Sequence, residues 1–249
     1  MDLKHSFEKK GILFFRYRGQ IPLVLFVVAA PAIYLSPTQH FWVRGWYPII
    51  LLSGCVLLSF SGFWIRFLAI GRSAKQTSGR NTWGHEAKNL NTSGMYSIVR
   101  NPLYLGNFLI WMGIVVFTAN VWFMLLVILA FWLYYERIIF SEEAFLEREF
   151  GNDFLEWSKR VPVFIPSMKN YEKPSIAFSL KTILRREYPG VSATIMGFVY
   201  VEFIRFWVLT GSPQWLWRHG IVVLVALLLS LILRTLKHHT NILKEEDRS

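Results

Sequence analysis

The sequence has few of the residues from which the common soluble enzyme sites are built. It holds one cysteine, Cys55, which excludes a disulfide framework and a zinc site of the usual Cys and His spacing. No Gly-x-Gly occurs, which excludes the glycine fingerprint of dinucleotide-binding folds, and no Gly-Lys pair occurs, which excludes the phosphate-binding loop. A His-Glu-x-x-His motif is also absent. We therefore expect no bound metal and no nucleotide-binding domain of these kinds.

Charged residues are also scarce, at 17% of the 249 residues. A soluble domain carries about 25%. In their place the chain is 53% hydrophobic, with a mean hydropathy of +0.35, and it contains 21 Phe and 11 Trp. This composition is typical of a lipid-facing protein with aromatic belts at the membrane interfaces. It argues against a soluble enzyme with a single core.

The long apolar runs predict an all-α, polytopic membrane protein with about six transmembrane helices. The third run has fifteen residues, which rise only about 22 Å as a helix against a hydrocarbon core of about 30 Å. We expect it to start below the membrane plane, to tilt or to thin the bilayer. The six predicted spans are residues 13–35, 46–70, 103–117, 121–139, 191–210 and 219–236.

The net charge of +11 is distributed unevenly between the two sides that these spans define. All of the 27 Lys and Arg residues except Arg44, Arg66, Arg205 and Arg218 fall in residues 71–102, in residues 137–189 or in the two tails, if Arg16, Arg18 and Arg234 near the span ends are counted with the adjoining tails. By the positive-inside rule, both termini and the large polar loops are cytoplasmic, in the inner membrane if the source is bacterial. We expect the positive charge to face a membrane surface and not a nucleic acid, and the chemistry to lie on the cytoplasmic side.

The first candidate segment is residues 91–107, which leads directly into the third span. Pro102 suits the first turn of a helix, and Asn101 before it is a candidate N-cap. The free N–H groups at this helix start, together with Arg100, can hold an anionic group. The alternative is an ordinary junction whose arginine lies among lipid headgroups.

The second candidate segment is residues 136–151, which follows the fourth span. At about 100° per residue, Glu136, Glu143 and Glu147 lie near one line along the helix, and Glu142 points elsewhere. Acidic residues directly below an apolar span are costly if they face lipid, so they are expected to face a polar pocket or to pair with Arg137. The alternative is a solvated helix with weak ion pairs.

Two further polar residues have simpler interpretations. His85 is the lone histidine of the central polar loop, and such a residue is usually solvated. Arg66, near the end of the second span, is expected to snorkel or to form an ion pair that fixes helix packing, with a substrate contact as the alternative.

At these segments the chain resembles the membrane methyltransferases of the isoprenylcysteine carboxyl methyltransferase and phospholipid methyltransferase superfamily. That family has the pattern Gly-x-Tyr-x-x-x-Arg-His-Pro-x-Tyr-x-Gly, then a hydrophobic hairpin, a Glu-Glu pair, a Phe-Gly and a Val-Pro. The resemblance covers residues 85–167, and Asn101 stands where many members have His. The matching residues are Gly94, Tyr96, Arg100, Pro102, Tyr104, Gly106, Glu142, Glu143, Phe150, Gly151, Val161 and Pro162.

The resemblance implies S-adenosylmethionine as the cofactor, bound in a cytoplasmic-side pocket without a metal. Glu142 or Glu143 would then take the ammonium group or the ribose hydroxyls, and Arg100 the carboxylate. Tyr96 and Tyr104 would pack on the adenine or face the sulfonium. The expected cofactor-binding residues are Tyr96, Arg100, Asn101, Pro102, Tyr104, Gly106, Glu142 and Glu143, and the expected catalytic residues are Arg100 and Arg137.

The methyl acceptor is expected to be an anionic group of a membrane lipid or of a prenylated partner. An ionised carboxylate or phosphate needs positive charge to hold it, whereas an amine also needs a general base. The chain also resembles, less specifically, bacterial lipid A phosphate methyltransferases. N-methylation of a phospholipid amine and a non-enzymatic transporter or scaffold remain as alternatives.

The chain is expected to divide into three parts. Residues 1–84 hold the N-terminal spans, residues 85–167 the methyltransferase core, and residues 168–249 a linker with two extra spans.

Overall fold

The computed structural model describes residues 3–36, 45–73 and 87–245, so that Arg44 and His85 lie outside the described residues. Within these ranges the chain forms eight α-helices and no β-strand. The helices are α1 (Leu3–Arg16), α2 (Ile21–Tyr34), α3 (Tyr47–Ile70), α4 (Pro102–Phe117), α5 (Val121–Phe150), α6 (Asn152–Arg160), α7 (Leu180–Thr210) and α8 (Trp217–His239). The prediction of an all-α fold is confirmed.

Four helices are long and apolar enough to cross a membrane, namely α3, α5, α7 and α8. The apolar helices α2 and α4 are shorter, so the count of six crossings stays a prediction. The outer face of α8 consists of exposed apolar side chains such as Leu228, Leu231 and Ile232. An exposed apolar surface of this extent requires a lipid environment, so the protein is an integral membrane protein.

The first predicted span, 13–35, is divided between two helices. α1 ends at Arg16, and a turn over residues 17–20 leads into α2. α1 packs along the second half of α5, where a Cβ on Gly11 would lie 2.6 Å from the Ser141 Cβ. The Tyr134 hydroxyl donates to the Phe14 carbonyl at 2.6 Å. Packing on α5 therefore extends this helix to Leu3, well outside the apolar run.

α3 and α4 approach each other so closely that only glycine fits at the contact. A Cβ on Gly62 would lie 2.5 Å from the Gly106 carbonyl oxygen and 2.9 Å from the Ile110 backbone nitrogen. The Ser59 hydroxyl donates to the Ile110 carbonyl at 2.9 Å across the same contact. Such small-residue contacts are a common way for membrane helices to associate.

Gly62→Ala is expected to destabilise the protein by about 1–3 kcal/mol, because the added methyl meets backbone that cannot rotate away. The matched control is Gly54→Ala on the same helix, where a Cβ would meet nothing within 4 Å. Thermal unfolding in detergent micelles measures both. Equal melting temperatures for the two variants would contradict the close packing of α3 on α4.

α5 continues well past the membrane-spanning length. It begins after Asn120, whose side chain accepts from the Phe123 N–H at 2.9 Å, and it ends at Phe150, before Gly151, whose backbone adopts φ +53°. The positive φ favours glycine and lets the chain turn into α6. The predicted acidic segment is thus the last part of one thirty-residue helix. We call the end of the bundle where α5 ends and α4 begins the polar end.

α7 begins at Leu180, eleven residues before the predicted start of the fifth span. Ser179 caps it by accepting from the Thr182 N–H at 3.1 Å. The charged first turns of α7 therefore lie at the polar end of the bundle, and the rest of the helix packs on α2, α3, α4 and α8. The division of the chain at residues 84 and 167 stays a prediction.

Candidate active site

A cavity of about 320 Å³ opens at the polar end of the bundle. Its walls come from residues 87–107, from residues 135–146 of α5, from Phe15 and Arg18, and from one or two residues each of α3, α6 and α7. The two segments that the sequence singled out therefore face one shared cavity. The predicted site residues in its wall are Tyr96, Arg100, Asn101, Pro102, Tyr104, Glu142 and Glu143.

The loop that carries Tyr96 and Arg100 is held by backbone hydrogen bonds to the segment that follows α6. The Arg100 N–H donates to the Pro162 carbonyl at 2.8 Å, and the Gly94 N–H donates to the Glu172 carbonyl at 2.9 Å. Gly94 has φ +62°, which favours glycine at this position. The Trp157 indole donates to the Tyr96 carbonyl at 3.0 Å. These contacts therefore fix three residues of the family pattern, Gly94, Tyr96 and Arg100, against α6 and the segment that follows it.

Arg100 and Glu143 form an ion pair across the cavity wall. The Arg100 Nη1 and Glu143 Oε2 atoms lie 3.2 Å apart, and the two side chains are 14% and 26% exposed. The Arg100 Nε and the Glu143 Oε1 are buried with no hydrogen-bond partner among the described residues. Buried polar atoms are rarely left unpaired, so these two point to a ligand or bound water in the cavity.

Glu142 lies beside this pair and is held by a tyrosine. The Tyr104 hydroxyl donates to Glu142 Oε2 at 2.7 Å, and the Tyr104 ring lies 4.9 Å from that of Tyr135. Burial raises the pKa of Tyr96 to about 12, and the nearby Glu142 carboxylate adds to the rise. Tyr96 is therefore a neutral phenol at pH 7, which can donate a hydrogen bond but does not supply a base.

A second ion pair, between Arg66 of α3 and Glu187 of α7, forms the deep wall of the cavity. Arg66 Nε and Nη2 each lie 2.7 Å from a Glu187 carboxylate oxygen, and the Glu187 side chain is 5% exposed. Arg66 Nη1 also donates to Asn107 Oδ1 at 2.6 Å, and the Asn107 amide donates to the Tyr135 hydroxyl at 3.1 Å. Four helices thus meet in one polar network. The expected packing role of Arg66 is compatible with this network.

A second cavity of about 290 Å³ adjoins this network from inside the bundle. Its walls are mostly apolar side chains of α2, α3, α4 and α7, such as Phe26, Ile114 and Ala193. Five residues line both cavities, namely Arg18, Arg66, Asn107, Tyr135 and Glu187. A polar space and an apolar space therefore meet at these five side chains.

Two predicted site residues lie outside the cavity wall. Arg137 Nη1 is directed back to the Leu133 carbonyl at 2.6 Å and to Glu136 at 3.3 Å, and its guanidinium lies over the Phe7 ring. It faces α1, so the structure gives it no contact with the cavity. Gly106 faces α3, where a Cβ would lie 2.5 Å from the Arg66 Cγ. Gly106 serves helix packing.

Two details of the expected geometry also differ. Asn101 precedes α4, but its side chain makes no capping bond and donates to the Val163 carbonyl at 3.1 Å. Glu142 and Glu143 both line the cavity, although the angular estimate separated them, because the cavity wraps around the end of α5. Glu136 and Glu147 lie outside its wall.

Sequence reasoning missed Glu187 and gave Arg18 no role beyond orientation. Glu187 was assigned to a linker because hydropathy alone placed the start of its span at residue 191. The available signal was an acidic residue next to two arginines, directly before an apolar run. Such a residue in a membrane helix is expected to have a charged partner.

The fold and the site define a class: an all-helical membrane protein whose polar cavity at one end adjoins an apolar cavity inside the bundle. Residues 50–153 match the family model described as phospholipid methyltransferase. This match covers α3, α4, α5 and the loop between them. It confirms the resemblance to the superfamily of membrane methyltransferases that contains the isoprenylcysteine carboxyl methyltransferases, and with it the expectation of a methyltransferase.

Curated relatives agree with this assignment in part. The chain is 36% identical to the protein-S-isoprenylcysteine O-methyltransferase of Schizosaccharomyces pombe over 30% of this chain and 32% of that protein. It is 32% identical to the cobalt-zinc-cadmium resistance protein CzcN of Cupriavidus metallidurans over 61% of this chain and 64% of that protein. It is 27% identical to the nickel-cobalt-cadmium resistance protein NccN of Alcaligenes xylosoxydans xylosoxydans over 65% of this chain and 71% of that protein. No solved structure matches the chain.

Two of these relatives are named for metal resistance. The part of the chain that the structure describes contains no group of three or more His, Cys, Asp or Glu side chains that could hold a metal ion.

Proposed function

We propose that this protein transfers the methyl group of S-adenosylmethionine to an anionic group of a membrane lipid or of a prenylated acceptor. The observation that carries the proposal is the unpaired Arg100 Nε and Glu143 Oε1 in a cavity that adjoins an apolar space. The superfamily resemblance and the isoprenylcysteine substrate in one relative's name support the choice of reaction.

The residues of the polar cavity fit the chemistry of this cofactor. Its amino acid part carries an ammonium and a carboxylate, which need one negative and one positive partner. Glu143 and Arg100 offer that pair, each with an unpaired atom. Tyr96 and Tyr104 supply aromatic surface for the adenine or the sulfonium. When bound, S-adenosylmethionine supplies an electrophilic methyl group, and the chain has to align the acceptor and exclude water.

The carboxylates of the cavity favour an acceptor that needs no general base. Glu142 accepts from Tyr104, Glu143 is paired with Arg100, and Glu187 is paired with Arg66. Burial raises the pKa of Glu142 and of Glu143, but each of the three carboxylates is engaged by a partner and none is placed as a free base for an ammonium group. An ionised carboxylate or phosphate has already lost its proton at pH 7, so it can be methylated directly.

The apolar cavity supports a lipid-linked acceptor. Its space of about 290 Å³ is lined mostly by apolar side chains, which suits a hydrocarbon chain. It lies among the membrane helices α2, α3, α4 and α7. We propose that the acceptor's chain occupies this space and that its anionic group reaches the polar cavity. By the positive-inside rule, the polar cavity and both termini are cytoplasmic.

The test is incubation of membranes that contain the protein with methyl-labelled S-adenosylmethionine, followed by mass analysis of the lipids and of lipid-linked peptides. We expect an anionic lipid or prenylated peptide to gain about 14 Da and to become an ester. A gain on the amine of phosphatidylethanolamine would identify N-methylation and overturn the proposed acceptor. No labelled product in membranes of the native source would contradict the proposal.

A further inference from the structure

Arg18 occupies a distinctive position between the two cavities. It lies in the turn between α1 and α2, is half-buried, and lines both the polar and the apolar space. Its Nη1 donates to the Phe15 carbonyl at 3.0 Å, and its guanidinium lies 3.8 Å from the centroid of the Phe15 ring. Phe15 is 5% exposed and belongs to the core between α1 and α5. The guanidinium is therefore held on a rigid support.

Arg18 differs from Arg66 and Arg100 in having no carboxylate as an ion-pair partner in the part of the chain that the structure describes. Arg66 is paired with Glu187, and Arg100 is paired with Glu143. Among the ion pairs of the described residues, none joins Arg18 to a carboxylate, and its charge acts on the nearby Glu142 without direct contact. A guanidinium has five N–H donors, and one bond to a carbonyl leaves most of them available for a planar anion.

We propose that Arg18 is the residue that holds the anionic group of the methyl acceptor. This inference rests on the proposed function and names the contact that selects the acceptor. A lipid chain in the apolar cavity ends where the two spaces meet, at Arg18, Arg66, Asn107, Tyr135 and Glu187. Of the two positive groups there, Arg66 is neutralised by Glu187. A carboxylate or phosphate at this point is therefore attracted to Arg18.

The reaction is balanced in charge and needs no proton transfer. An oxygen lone pair of the acceptor forms the new bond to the methyl carbon, and the carbon–sulfur bond breaks with its electron pair going to sulfur. The sulfonium becomes a neutral thioether, and the anion loses one negative charge as it becomes an ester. Arg18 then holds the product less strongly than the acceptor, which favours release of a carboxylate ester into the lipid phase.

The test compares Arg18→Gln, Arg18→Lys and the control Arg16→Gln in the purified full chain in lipid nanodiscs. Arg16 is exposed at the end of α1 and lines neither cavity. The two acceptor probes are N-acetyl-S-farnesylcysteine, which carries a carboxylate, and dioleoyl phosphatidic acid, which carries a phosphate. The readouts are the KM for each probe, kcat, the Kd for S-adenosylmethionine and the melting temperature.

We expect Arg18→Gln to raise the KM of the methylated probe by about tenfold or more, the usual effect of losing a hydrogen bond to a charged group. The cofactor Kd should change by less than about twofold. Arg18→Lys should recover part of the loss, and Arg16→Gln should behave as the unmodified chain. The probe that responds identifies the acceptor as a carboxylate or a phosphate.

An unchanged KM in Arg18→Gln, with an active unmodified chain, would overturn the role of Arg18 and leave the proposed function intact. A parallel loss of cofactor affinity and melting temperature in both Arg18 variants would assign the residue a structural role and also overturn the inference. If the unmodified chain methylates neither probe nor any lipid of its native membrane, the proposed function fails first and this inference fails with it.

Discussion

Replacement of Arg100 by alanine is expected to reduce the rate of methyl transfer by about 100-fold or more. The change removes the positive charge that faces the polar cavity and leaves the partly buried Glu143 carboxylate without its partner. Loss of one preorganised charged or donor group from an active site has an effect of about this size. Initial rates at saturating and limiting S-adenosylmethionine would separate the effect on binding from the effect on the chemical step.

The informative control for this prediction is Arg137→Ala. Sequence reasoning gave both arginines a catalytic role, but the structure places Arg137 against Phe7 and Glu136, away from the cavity. We expect the Arg137 variant to retain a rate within about threefold of the unmodified chain, because the replaced side chain does not line the cavity. A loss equal to that of Arg100→Ala would show that the cavity described here is not the site of reaction.

The second large effect is expected on stability. Arg66→Ala should lower the free energy of unfolding by about 3–5 kcal/mol, because it leaves the Glu187 carboxylate buried and unpaired between α3 and α7. The double replacement Arg66→Met with Glu187→Leu should be much less harmful, since it removes both charges and keeps apolar volume. Unfolding in mixed micelles with increasing SDS measures the difference.

An exposed ion pair provides the comparison. Arg160 and Glu172 are 58% and 52% exposed and their nearest charged atoms lie 3.7 Å apart. Arg160→Ala should change the free energy of unfolding by less than about 1 kcal/mol. If Arg66→Ala is as mild as Arg160→Ala, the buried network that joins the two cavities does not exist as described.

The sequence predicts those helices well whose limits coincide with the limits of an apolar run. The span predicted at 46–70 is α3 at Tyr47–Ile70, and the hairpin around residues 118–120 lies between α4 and α5. The prediction fails where packing extends a helix into charged sequence. α1 reaches Leu3 because Gly11 fits against α5, and α7 begins at Leu180 because its first turns cover the polar end. Hydropathy cannot detect either contact.

For the candidate site, too, the sequence predicts local features but not contacts between helices. The family pattern indicated the residues that face the cavity, since a pattern marks residue types at fixed spacings. It did not indicate which of them pair, such as Tyr104 with Glu142 and Arg100 with Glu143. It also could not reach Glu187, which lies outside residues 50–153 and meets Arg66 only after α7 has packed on α3. Pairings between helices depend on tertiary structure.

The extra C-terminal helices have a clear consequence for the site. α7 supplies Glu187 to both cavities and Gly190, Ala193 and Thr194 to the apolar one. Because small side chains here leave room inside the bundle, the shape of the apolar cavity depends on a helix beyond the matched family segment. We therefore expect acceptor selectivity to depend on the side chains of α7. The proposed cofactor contacts depend instead on the start of α4 and the end of α5.

The most direct test of the central claim is an experimental structure of the protein with S-adenosylhomocysteine, the product form of the proposed cofactor. We expect the ligand in the cavity between residues 96–104 and the end of α5, with its amino acid part at Arg100 and Glu143. Density for the ligand at another place, or a structure in which these two segments no longer share a cavity, would contradict the account.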